Sequence, residues 1–295
     1  MDTAAIPHPP HRLPVLGDVL GMNPRAPVQS SLRLARDLGP ISVRSGLGVQ
    51  LVMVGGAELA AELNDDTRFR KHVALHLTPL RRITGHALFT AENAEPNWQL
   101  AHDILAPAFT REAMRGYHTI MLEVARELLA RWDTAAAGGQ RVDVTADMTR
   151  LTLETIGRAG FGYRFGSFDR DRPHPFVGSM TRTLRYANLL AVLPWAPLRR
   201  LMTASAARME RTVDEVIAAR RDGAAPDAPD LLGLMLRTAH PETGRRLDPV
   251  NIRRQVITFM VAGHETTSGA LSFALYYLTQ DEQALAQAQA EVDAL

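Results

Sequence analysis

The residues best suited to chemistry in this chain form one short run, Ala262-Gly263-His264-Glu265-Thr266-Thr267, here called the notch. The notch lies inside an apolar segment, 255–278, whose pattern and length predict a helix. A carboxylic acid and an alcohol at positions that favour burial are costly unless they are hydrogen-bonded or used. Glu265 and Thr266 supply an acid and an alcohol for a proton relay. The notch is therefore the candidate catalytic element; the alternative is a kinked core helix whose polar groups only satisfy one another.

The hydroxyl and glycine residues of the notch predict a local change in the helix. A threonine in a helix can donate to the carbonyl four residues before it, so Thr266 and Thr267 are expected to loosen the helix at Ala262 and Gly263. A bulge at that point makes room for a small ligand or water. Gly263 and Gly269 lack side-chain bulk, and we expect a flat partner to approach the helix there.

A metal site in this helix is excluded by the residue types. His264-Glu265 begins the zinc-protease pattern His-Glu-x-x-His, but the second histidine position is Ser268. A lone histidine in a helix is more often a satisfied core or surface residue than a ligand. The chain contains no cysteine, which excludes disulfides, zinc–thiolate sites, iron–sulfur clusters and thiolate-ligated haem within these residues. We predict no metal ligand.

Composition indicates a globular protein with a sizeable core. The chain has 295 residues, 46% of them hydrophobic, and a net charge of +1, so nucleic acid and anionic membranes are not expected partners. The N-terminus is proline-rich and has no cationic segment followed by an apolar run, so we expect neither a signal peptide nor a membrane anchor. Polar notch residues interrupt 255–278, which argues against a membrane span. We predict a soluble cytoplasmic protein.

The order of elements predicts a mainly α fold with a small N-terminal β-hairpin. Residues 1–20 read as an irregular entry, and 41–44 and 49–54 as hairpin strands around a glycine turn. Helices are expected over 24–38, 57–64, 110–136 with Thr110 as N-cap, 144–160, 176–190, 204–221, and from Asp248-Pro249 to about 279. Residues 160–166 and 169–175 are predicted loops, and 222–229 a linker. Residues 281–295 are helix-forming without a C-cap, so we expect the chain to be part of a longer protein.

Several segments together resemble one family. The notch resembles the oxygen-binding helix signature of the haem-thiolate monooxygenases, the cytochrome P450 family. Residues 95–102, with Trp98 and His102, and 104–109 resemble its haem-flanking C helix; 151–165 and the proline-rich 10–17 resemble further segments in the same order. The resemblance is strongest to bacterial fatty-acid hydroxylases fused to a flavoprotein reductase. It implies a cytochrome P450 fold, incomplete at the C-terminus, with 1–295 as the N-terminal portion of one haem domain that ends after the helix at about 249–279.

The resemblance also implies roles for individual residues. Thr266 passes protons towards the dioxygen, and Glu265 is its acid partner. Trp98 and His102 are implied to hydrogen-bond a haem propionate. Many members have Arg where this chain has His102, so the contact of His102 to the propionate depends on protonation. The implied cofactor-binding residues are Lys71, Trp98, His102, Ala262 and Gly263, and the implied substrate-binding residues are Leu75, Phe89 and Ala262. In most proteins Trp98 and Phe89 would be core aromatics and Lys71 a surface lysine, but the ordered co-occurrence of the motifs outweighs these alternatives.

The sequence departs from the family at two places. The family's Phe-x-x-Gly-x-x-x-Cys ligand segment and its Glu-x-x-Arg helix are not in this chain; both are expected downstream. The related fatty-acid hydroxylases hold the substrate carboxylate with an Arg and a Tyr, where this chain has Val49 and Met53. Arg44 is nearby but outside the matching position. A fatty acid is therefore one candidate substrate and not a secured one.

These observations lead to two main functional hypotheses. The first is a haem-dependent monooxygenase that inserts an atom of dioxygen into an apolar substrate, with electrons from NADPH through the FAD and FMN of a fused or separate reductase. The second is a truncated, non-catalytic remnant or a haem- or lipid-binding helical module, in which His102 or His72 holds haem weakly. An unrelated helical protein with a coincidental notch requires several ordered coincidences.

Overall fold

The computed structural model describes residues 5–14, 16–18, 23, 26–46, 48–65, 67–73, 77–192, 195–223 and 228–295. The chain divides into two compact units, Met1–Lys71 and His72–Leu295. The described residues are mainly helical with one two-stranded sheet, which confirms the predicted fold class. Among the described residues, no helix combines the length and apolar character needed to cross a membrane.

The first unit is built around the predicted hairpin. Its elements are α1 Pro27–Leu38, β1 Ile41–Gly46, β2 Val49–Val54 and α2 Ala57–Leu63. The strands are antiparallel, with Ile41 opposite Val54 and Gly46 opposite Val49. Gly48 has a φ of 80°, a backbone conformation that favours glycine and explains its place in the turn. The predicted hairpin is confirmed, whereas residues 1–4, 15, 19 and 20 of the predicted entry lie outside the described residues.

The described part of the proline-rich entry packs against the hairpin turn. Arg12 Nε lies 3.0 Å from Asp18 Oδ1, and the backbone N–H of Ser45 donates to the same carboxylate at 2.6 Å. Burial raises the pKa of Asp18, but these hydrogen bonds outweigh burial and lower it. A side chain at Gly17 would meet the Ser45 carbonyl oxygen at 2.1 Å, so the entry can approach the turn only with glycine there.

The second unit contains nine described helices. They are α3 Thr78–Thr84, α4 Pro96–Leu105, α5 Arg111–Ala137, α6 Val144–Phe161, α7 Pro175–Val192, α8 Ala196–Asp222, α9 Leu231–Arg237, α10 Pro249–Leu278 and α11 Glu282–Asp293, with a 3₁₀ helix Ala106–Phe109 after α4. The helices predicted at 110–136, 144–160, 176–190 and 249–279 are confirmed with small boundary differences. The prediction for α8 is wrong at its start, since α8 begins at Ala196 and not at 204.

The N-caps predicted for two long helices, Thr110 for α5 and Asp248 for α10, are confirmed. Thr110 accepts a hydrogen bond from the backbone of Ala113 at 3.3 Å, and Asp248 accepts one from Asn251 at 2.9 Å. Such caps each stabilise a helix by about 1 kcal/mol. Asp230 caps α9 in the same way, accepting from Gly233 at 2.9 Å. Sequence analysis missed α9, although this cap was readable.

The core of the second unit lies between α6, α8, α9 and α10. Val256, Ile257 and Met260 of α10 are at most 1% exposed, and they pack in a cluster with side chains of α4, α6, α8 and α9. At 25 cal/mol per Å², each such side chain contributes about 1.5–3 kcal/mol on burial. The first half of α10 is therefore fixed by the core, and this fixes the direction of the notch.

Candidate functional site

The notch divides between two faces of α10. His264 is only 1% exposed, whereas Ala262, Glu265 and Thr266 are exposed. Successive residues of an α-helix turn by about 100°, so His264 faces the packed side while Glu265 and Thr266 do not. The prediction that the acid and the alcohol of the notch are buried is therefore wrong. The alternative, a core helix whose polar groups only satisfy one another, holds for Thr266, which donates to its own helix, and not for His264, whose ring nitrogens have no partner among the described residues.

The back-bonding of Thr266 is confirmed, but the predicted bulge is not present. Thr266 Oγ1 donates to the carbonyl oxygen of Ala262 at 2.6 Å. In the part of the chain that the structure describes, Thr267 makes no such bond to Gly263, and α10 remains an α-helix from Pro249 to Leu278. The hydroxyl shares a carbonyl with the backbone N–H and does not displace it. α10 therefore continues through the notch without a break, and the Thr266 side chain adds one hydrogen bond to it.

Glu265 combines exposure with a perturbed carboxyl group. Partial burial against α10 and its neighbours raises the pKa of Glu265. No Lys, Arg or His side chain forms an ion pair with it among the described residues, so nothing offsets this desolvation. A carboxyl group with a raised pKa gives and takes protons more readily near neutral pH than an ordinary glutamate. Glu265 and Thr266 thus offer an adjacent acid and alcohol on an open surface.

The two glycines of this region differ in what surrounds them. A side chain at Gly263 would meet Ile156 Cδ1 of α6 at 3.3 Å, so the expectation that a flat partner approaches at Gly263 is corrected: α6 already occupies that space. A side chain at Gly269 would have nothing within 4 Å. Gly263 serves close helix packing, and a haem contact through its backbone stays a prediction.

The loop that carries Phe89 is fastened to α10 by two buried amides. The Leu88 backbone N–H donates to Gln255 Oε1 at 3.1 Å, and Asn251 Nδ2 donates to the His86 carbonyl oxygen at 3.3 Å. Phe89 itself is 48% exposed, so it is not a core aromatic. Gln255 and Asn251 were not identified from the sequence; their signal was two amides spaced four apart in an apolar helix. Leu75, the other predicted substrate residue, lies outside the described residues.

An ion-pair network holds the same loop against the start of α4. Glu95 is paired with Arg81 at 2.5 Å and with His86, and Arg81 Nη1 also donates to the Thr90 carbonyl oxygen at 3.0 Å. Burial alone would raise the pKa of Glu95, but the hydrogen bonds from His86 and Arg81 lower it to about 2. The carboxylate therefore stays charged at neutral pH and anchors α4.

Trp98 and His102 form one stacked pair on α4. Their ring centroids are 4.9 Å apart and their planes differ by 17°, as expected for residues four apart on a helix. Trp98 is partly buried and the His102 side chain is 52% exposed. Within the described residues, neither Trp98 Nε1 nor His102 Nε2 has a hydrogen-bond partner. The pair therefore presents two unused nitrogen atoms on one helix.

Asp103 controls the other nitrogen of His102 and ties α4 to a distant loop. Asp103 Oδ1 lies 3.3 Å from His102 Nδ1, and Asp103 Oδ2 lies 2.9 Å from His240 Nε2. Hydrogen bonds from Gln99, His240 and His102, in that order, lower the pKa of Asp103 to about 2. An ionised carboxylate can only accept, so this hydrogen bond requires a proton on His102 Nδ1. No local pattern in the sequence indicates this long-range pair.

Lys71 is the last residue of the first unit, and it is half-buried. It has an interaction partner in the structure, so the alternative of a freely solvated surface lysine is wrong. Its predicted place near a haem propionate concerns the second unit and stays a prediction.

The residues present suit the periphery of a haem group. Two nitrogen donors on α4 can serve carboxylates such as the propionates, and Ala262 leaves an exposed, small-residue patch on α10 against which a flat ring fits. With no cysteine in the sequence, these residues do not supply a thiolate ligand to iron. In the described ranges, no three or more His, Asp or Glu side chains converge as a metal site.

Comparison with known proteins agrees with the motifs. The family model of cytochrome P450 matches residues 7–295. The chain is 43% identical over 98% of its length to a bifunctional cytochrome P450/NADPH–P450 reductase of Bacillus cereus, and 45% identical over 90% to reductase fusion 2 of Bacillus subtilis. It is 40% identical over 99% to a self-sufficient cytochrome P450 monooxygenase of Phanerodontia chrysosporium. It spans 28%, 26% and 28% of their respective lengths. The chain belongs to the cytochrome P450 family.

Proposed function

We propose that this chain provides the oxygen-side helix and the substrate-side loop of a haem monooxygenase that hydroxylates an apolar substrate. The observation that carries the proposal is the exposed face of α10, where Ala262, Glu265 and Thr266 stand together. Membership of the cytochrome P450 family and relatives named as monooxygenases support it. The activity belongs to the full-length protein, which must supply the ligand to iron.

The cofactor in this proposal is haem, which when bound supplies the activation of dioxygen. Trp98 Nε1 and His102 Nε2 are the groups that would donate to its propionates, and Lys71 is a further predicted donor. For His102 Nε2 to donate to a propionate, the ring must carry a proton on Nε2.

The chain's own part in proton delivery is assigned to Glu265 and Thr266. Because the Thr266 hydroxyl donates to the Ala262 carbonyl oxygen at 2.6 Å, its oxygen keeps lone pairs that can accept a hydrogen bond from a proton donor. When the hydroxyl turns from the carbonyl, it can pass its own proton on as it takes the donor's proton, and it stays neutral. The raised pKa of Glu265 makes it a suitable acid to restore that proton from solvent.

Phe89 is proposed to stand against the substrate, together with Leu75 and Ala262. An exposed aromatic ring on a rigidly fastened loop supplies apolar contact area with little mobility. β2 carries no Lys or Arg, and Val49 and Met53 are both exposed and apolar. The proposed substrate is therefore an apolar molecule; a fatty acid would need its carboxylate held elsewhere.

Electrons are proposed to come from NADPH through a flavoprotein reductase with FAD and FMN, fused or separate. Two relatives are themselves named as fusions of a cytochrome P450 with an NADPH–P450 reductase. We propose the cytoplasm as the place of the reaction, with dioxygen and a small apolar substrate as the partners and no role for nucleic acid.

A second candidate is a non-catalytic haem- or lipid-binding helical module. It is favoured by exposed aromatics near the end of α10, where Phe273 is 64% and Tyr277 65% exposed. Large exposed apolar patches often mark binding surfaces.

Isotope-labelled dioxygen distinguishes the two candidates. The full-length protein, supplied with NADPH and a panel of apolar substrates, is expected to place one labelled oxygen atom in an alcohol product. The matched control is the same protein without NADPH. Haem binding with no labelled product from any substrate, under continued NADPH supply, would favour the non-catalytic module.

A further inference from the structure

Phe89 lies on the loop between α3 and α4, residues 85–95, and its exposure contrasts with that of its neighbours. Phe89 is 48% exposed, whereas Ala87, Thr90 and Ala91 are each 0% exposed. The Thr90 N–H donates to the Ala87 carbonyl oxygen at 3.0 Å, and the Ala91 N–H donates to the same oxygen at 2.8 Å. The backbone around Phe89 therefore forms a tight, buried turn, and the contacts that fix this turn also fix where the ring stands.

One carboxylate, that of Glu95 at the end of the loop, joins three parts of this segment. Its Oε1 accepts from Arg81 Nη2 of α3 at 2.5 Å and from the Glu92 backbone N–H at 3.1 Å. Its Oε2 accepts from His86 Nδ1. An ionised carboxylate accepts at both oxygens, so a single side chain ties α3 to the loop both before and after Phe89.

Arg81 extends the same connection to the turn itself. Its Nη1 donates to the Thr90 carbonyl oxygen at 3.0 Å, while its Nη2 donates to Glu95. A guanidinium holds its N–H donors in a rigid plane, so one residue can hold the turn and the carboxylate in a fixed geometry. Thr90 Oγ1 in turn donates to the Gly85 carbonyl oxygen at 2.8 Å, which closes the loop at its base.

The attachment to α10 on the other side of the loop is weaker in kind. It consists of the neutral amide contacts of Gln255 with Leu88 and of Asn251 with His86. Hydrogen bonds with an ionised partner are roughly twice as strong as neutral ones. The charged contacts of Glu95 are therefore expected to contribute more to the order of the Phe89 turn than the amides of α10.

We propose that Glu95 is a positioning residue for the substrate: by holding the Phe89 turn, it determines which carbon of an apolar chain is oxidised. The inference rests on the proposed hydroxylation of an apolar substrate and on the proposed contact of Phe89 with that substrate. A rigid ring leaves a flexible chain few ways to lie in the site. Loss of the Glu95 contacts allows the ring to move, and other carbons of the chain then reach the reacting position.

Glu95→Gln removes the carboxylate with little change in shape. The amide has one oxygen, so at one end of the side chain an NH₂ group faces a donor and a hydrogen bond is lost. In the full-length protein supplied with NADPH and n-decane, the ratio of 2-decanol to 3-decanol is expected to change by about two- to tenfold, the size of one hydrogen bond's net effect. The ratio does not depend on how much protein is folded, so a variant that is only less stable leaves it unchanged.

The double variant Phe89→Ala/Glu95→Gln separates action through the ring from any other route. When the Phe89 ring is absent, adding Glu95→Gln is expected to leave the ratio of Phe89→Ala unchanged. Arg81→Lys is the second test of the same contact, because an ammonium group cannot hold Glu95 and Thr90 in the two-armed geometry of the guanidinium. It should change the ratio in the same direction as Glu95→Gln, and it keeps the test valid if Glu95→Gln does not fold.

Glu127→Gln is the matched control. The Glu127 side chain is 29% exposed, against 21% for Glu95, and it accepts from an arginine, Arg158, at 2.6 Å. This pair joins α5 to α6 and has no contact with the Phe89 loop among the described residues. Glu127→Gln should therefore keep the wild-type ratio of products even where it lowers stability.

A second readout needs no catalysis. In the full-length protein labelled with 4-fluorophenylalanine, the ¹⁹F NMR signal of Phe89 is the one lost in Phe89→Ala. Glu95→Gln is expected to shift and narrow this signal because the ring becomes more mobile, and Glu127→Gln should leave it in place. A wild-type protein that oxidises no carbon of n-decane would count against the proposed function, and the ¹⁹F comparison would then decide the positioning role by itself.

Three outcomes would overturn the positioning role. A Phe89 signal that is the same in Glu95→Gln and the wild type would show that the loop is held without the carboxylate. A lower yield of product at an unchanged ratio would show that Glu95 contributes to stability alone. An equal change of the ratio with and without the Phe89 ring would show that Glu95 acts through another residue.

Discussion

The two faces of α10 carry polar residues for different reasons. On the packed face, His264 is buried against α6 and α7 and has no partner in the described chain. On the open face, Thr266 is exposed and its hydroxyl is bonded to its own helix. The two residues are two positions apart in the sequence, but the helix turns them away from each other. A single six-residue motif thus holds one polar residue that faces the core and another that faces outward.

The difference between the two faces shows which residues of the notch serve helix packing and which do not. Gly263 is needed for the approach of Ile156, and its neighbour Ala262 is free of such a constraint. A substitution on the packed face should therefore change stability first, and one on the open face should change chemistry with little loss of stability. The following predictions, made for the 295-residue chain, test that division.

The largest expected effect is the pH dependence contributed by His264. Its pKa is lowered to about 4 in the folded chain, against about 6.5 in the unfolded chain. The stabilisation is complete above pH 6.5 and is lost as the pH falls towards 4, because only the unfolded chain takes up the proton there. The upper limit of this loss in unfolding free energy is about 3 kcal/mol. Urea unfolding at a series of pH values should show that the unfolding free energy falls less steeply with decreasing pH in His264→Leu than in the wild type.

The control is the exposed His118→Leu, which should keep the wild-type pH dependence. A His264→Leu profile equal to that of the wild type contradicts the burial effect.

Gly263→Leu should lower the unfolding free energy by about 1–3 kcal/mol, because the added side chain collides with Ile156 of α6. Gly269→Ala on the same helix has open space and should stabilise by about 0.5–1 kcal/mol through helix propensity. Chemical denaturation of both variants measures the contrast. Equal effects at the two glycines would mean that α6 does not constrain the notch.

Gln255→Leu should lower stability by about 1–3 kcal/mol, because the buried Leu88 N–H and the Asn251 side chain lose a partner. The released loop should also make Phe89 more mobile. Hydrogen exchange at Leu88 reports the loss directly. Gln99→Leu, at an exposed position of α4, is the control and should leave exchange at Leu88 unchanged; slow exchange at Leu88 in Gln255→Leu would refute the anchor.

The smallest effect is expected for Glu265→Gln on the open face. The folded pKa of Glu265 is raised, so its charged form disfavours folding at pH 7 and its neutral form does not at low pH. Because the residue is exposed, the gain at pH 7 should stay below about 1 kcal/mol and vanish near pH 3. A destabilised Glu265→Gln at pH 7 would mean that the carboxylate has a favourable partner.

The local parts of the fold were predictable from the sequence, and the long-range parts were not. Asp248 followed by Pro249 marks the start of α10, and the glycine turn marks the hairpin; both signals act within a few residues. The bond from Leu88 to Gln255 joins residues far apart in the chain, and no local pattern encodes it. α8 begins at Ala196, with Pro197 in its first turn, whereas the predicted helix began at 204.

The sequence was sufficient to predict which residues form the candidate site. It was not sufficient to predict which of them are buried and what surrounds them. Apolar neighbours indicated that 255–278 is buried on average, but the average does not say which side of the helix each notch residue occupies. For that reason His264 fitted the burial expectation and Thr266 did not. The partnerless state of His264 also had no signal, since it depends on side chains of α6 and α7.

The most direct test is the coupling of NADPH use to product in the full-length protein, compared between Thr266→Ala and Thr267→Ala. The two threonines are adjacent and both exposed, but only Thr266 shares the open face with Ala262. A proton relay at Thr266 predicts that Thr266→Ala diverts electrons to hydrogen peroxide, while Thr267→Ala stays coupled like the wild type. Full coupling in Thr266→Ala, or equal loss in both variants, would contradict the role of the open face.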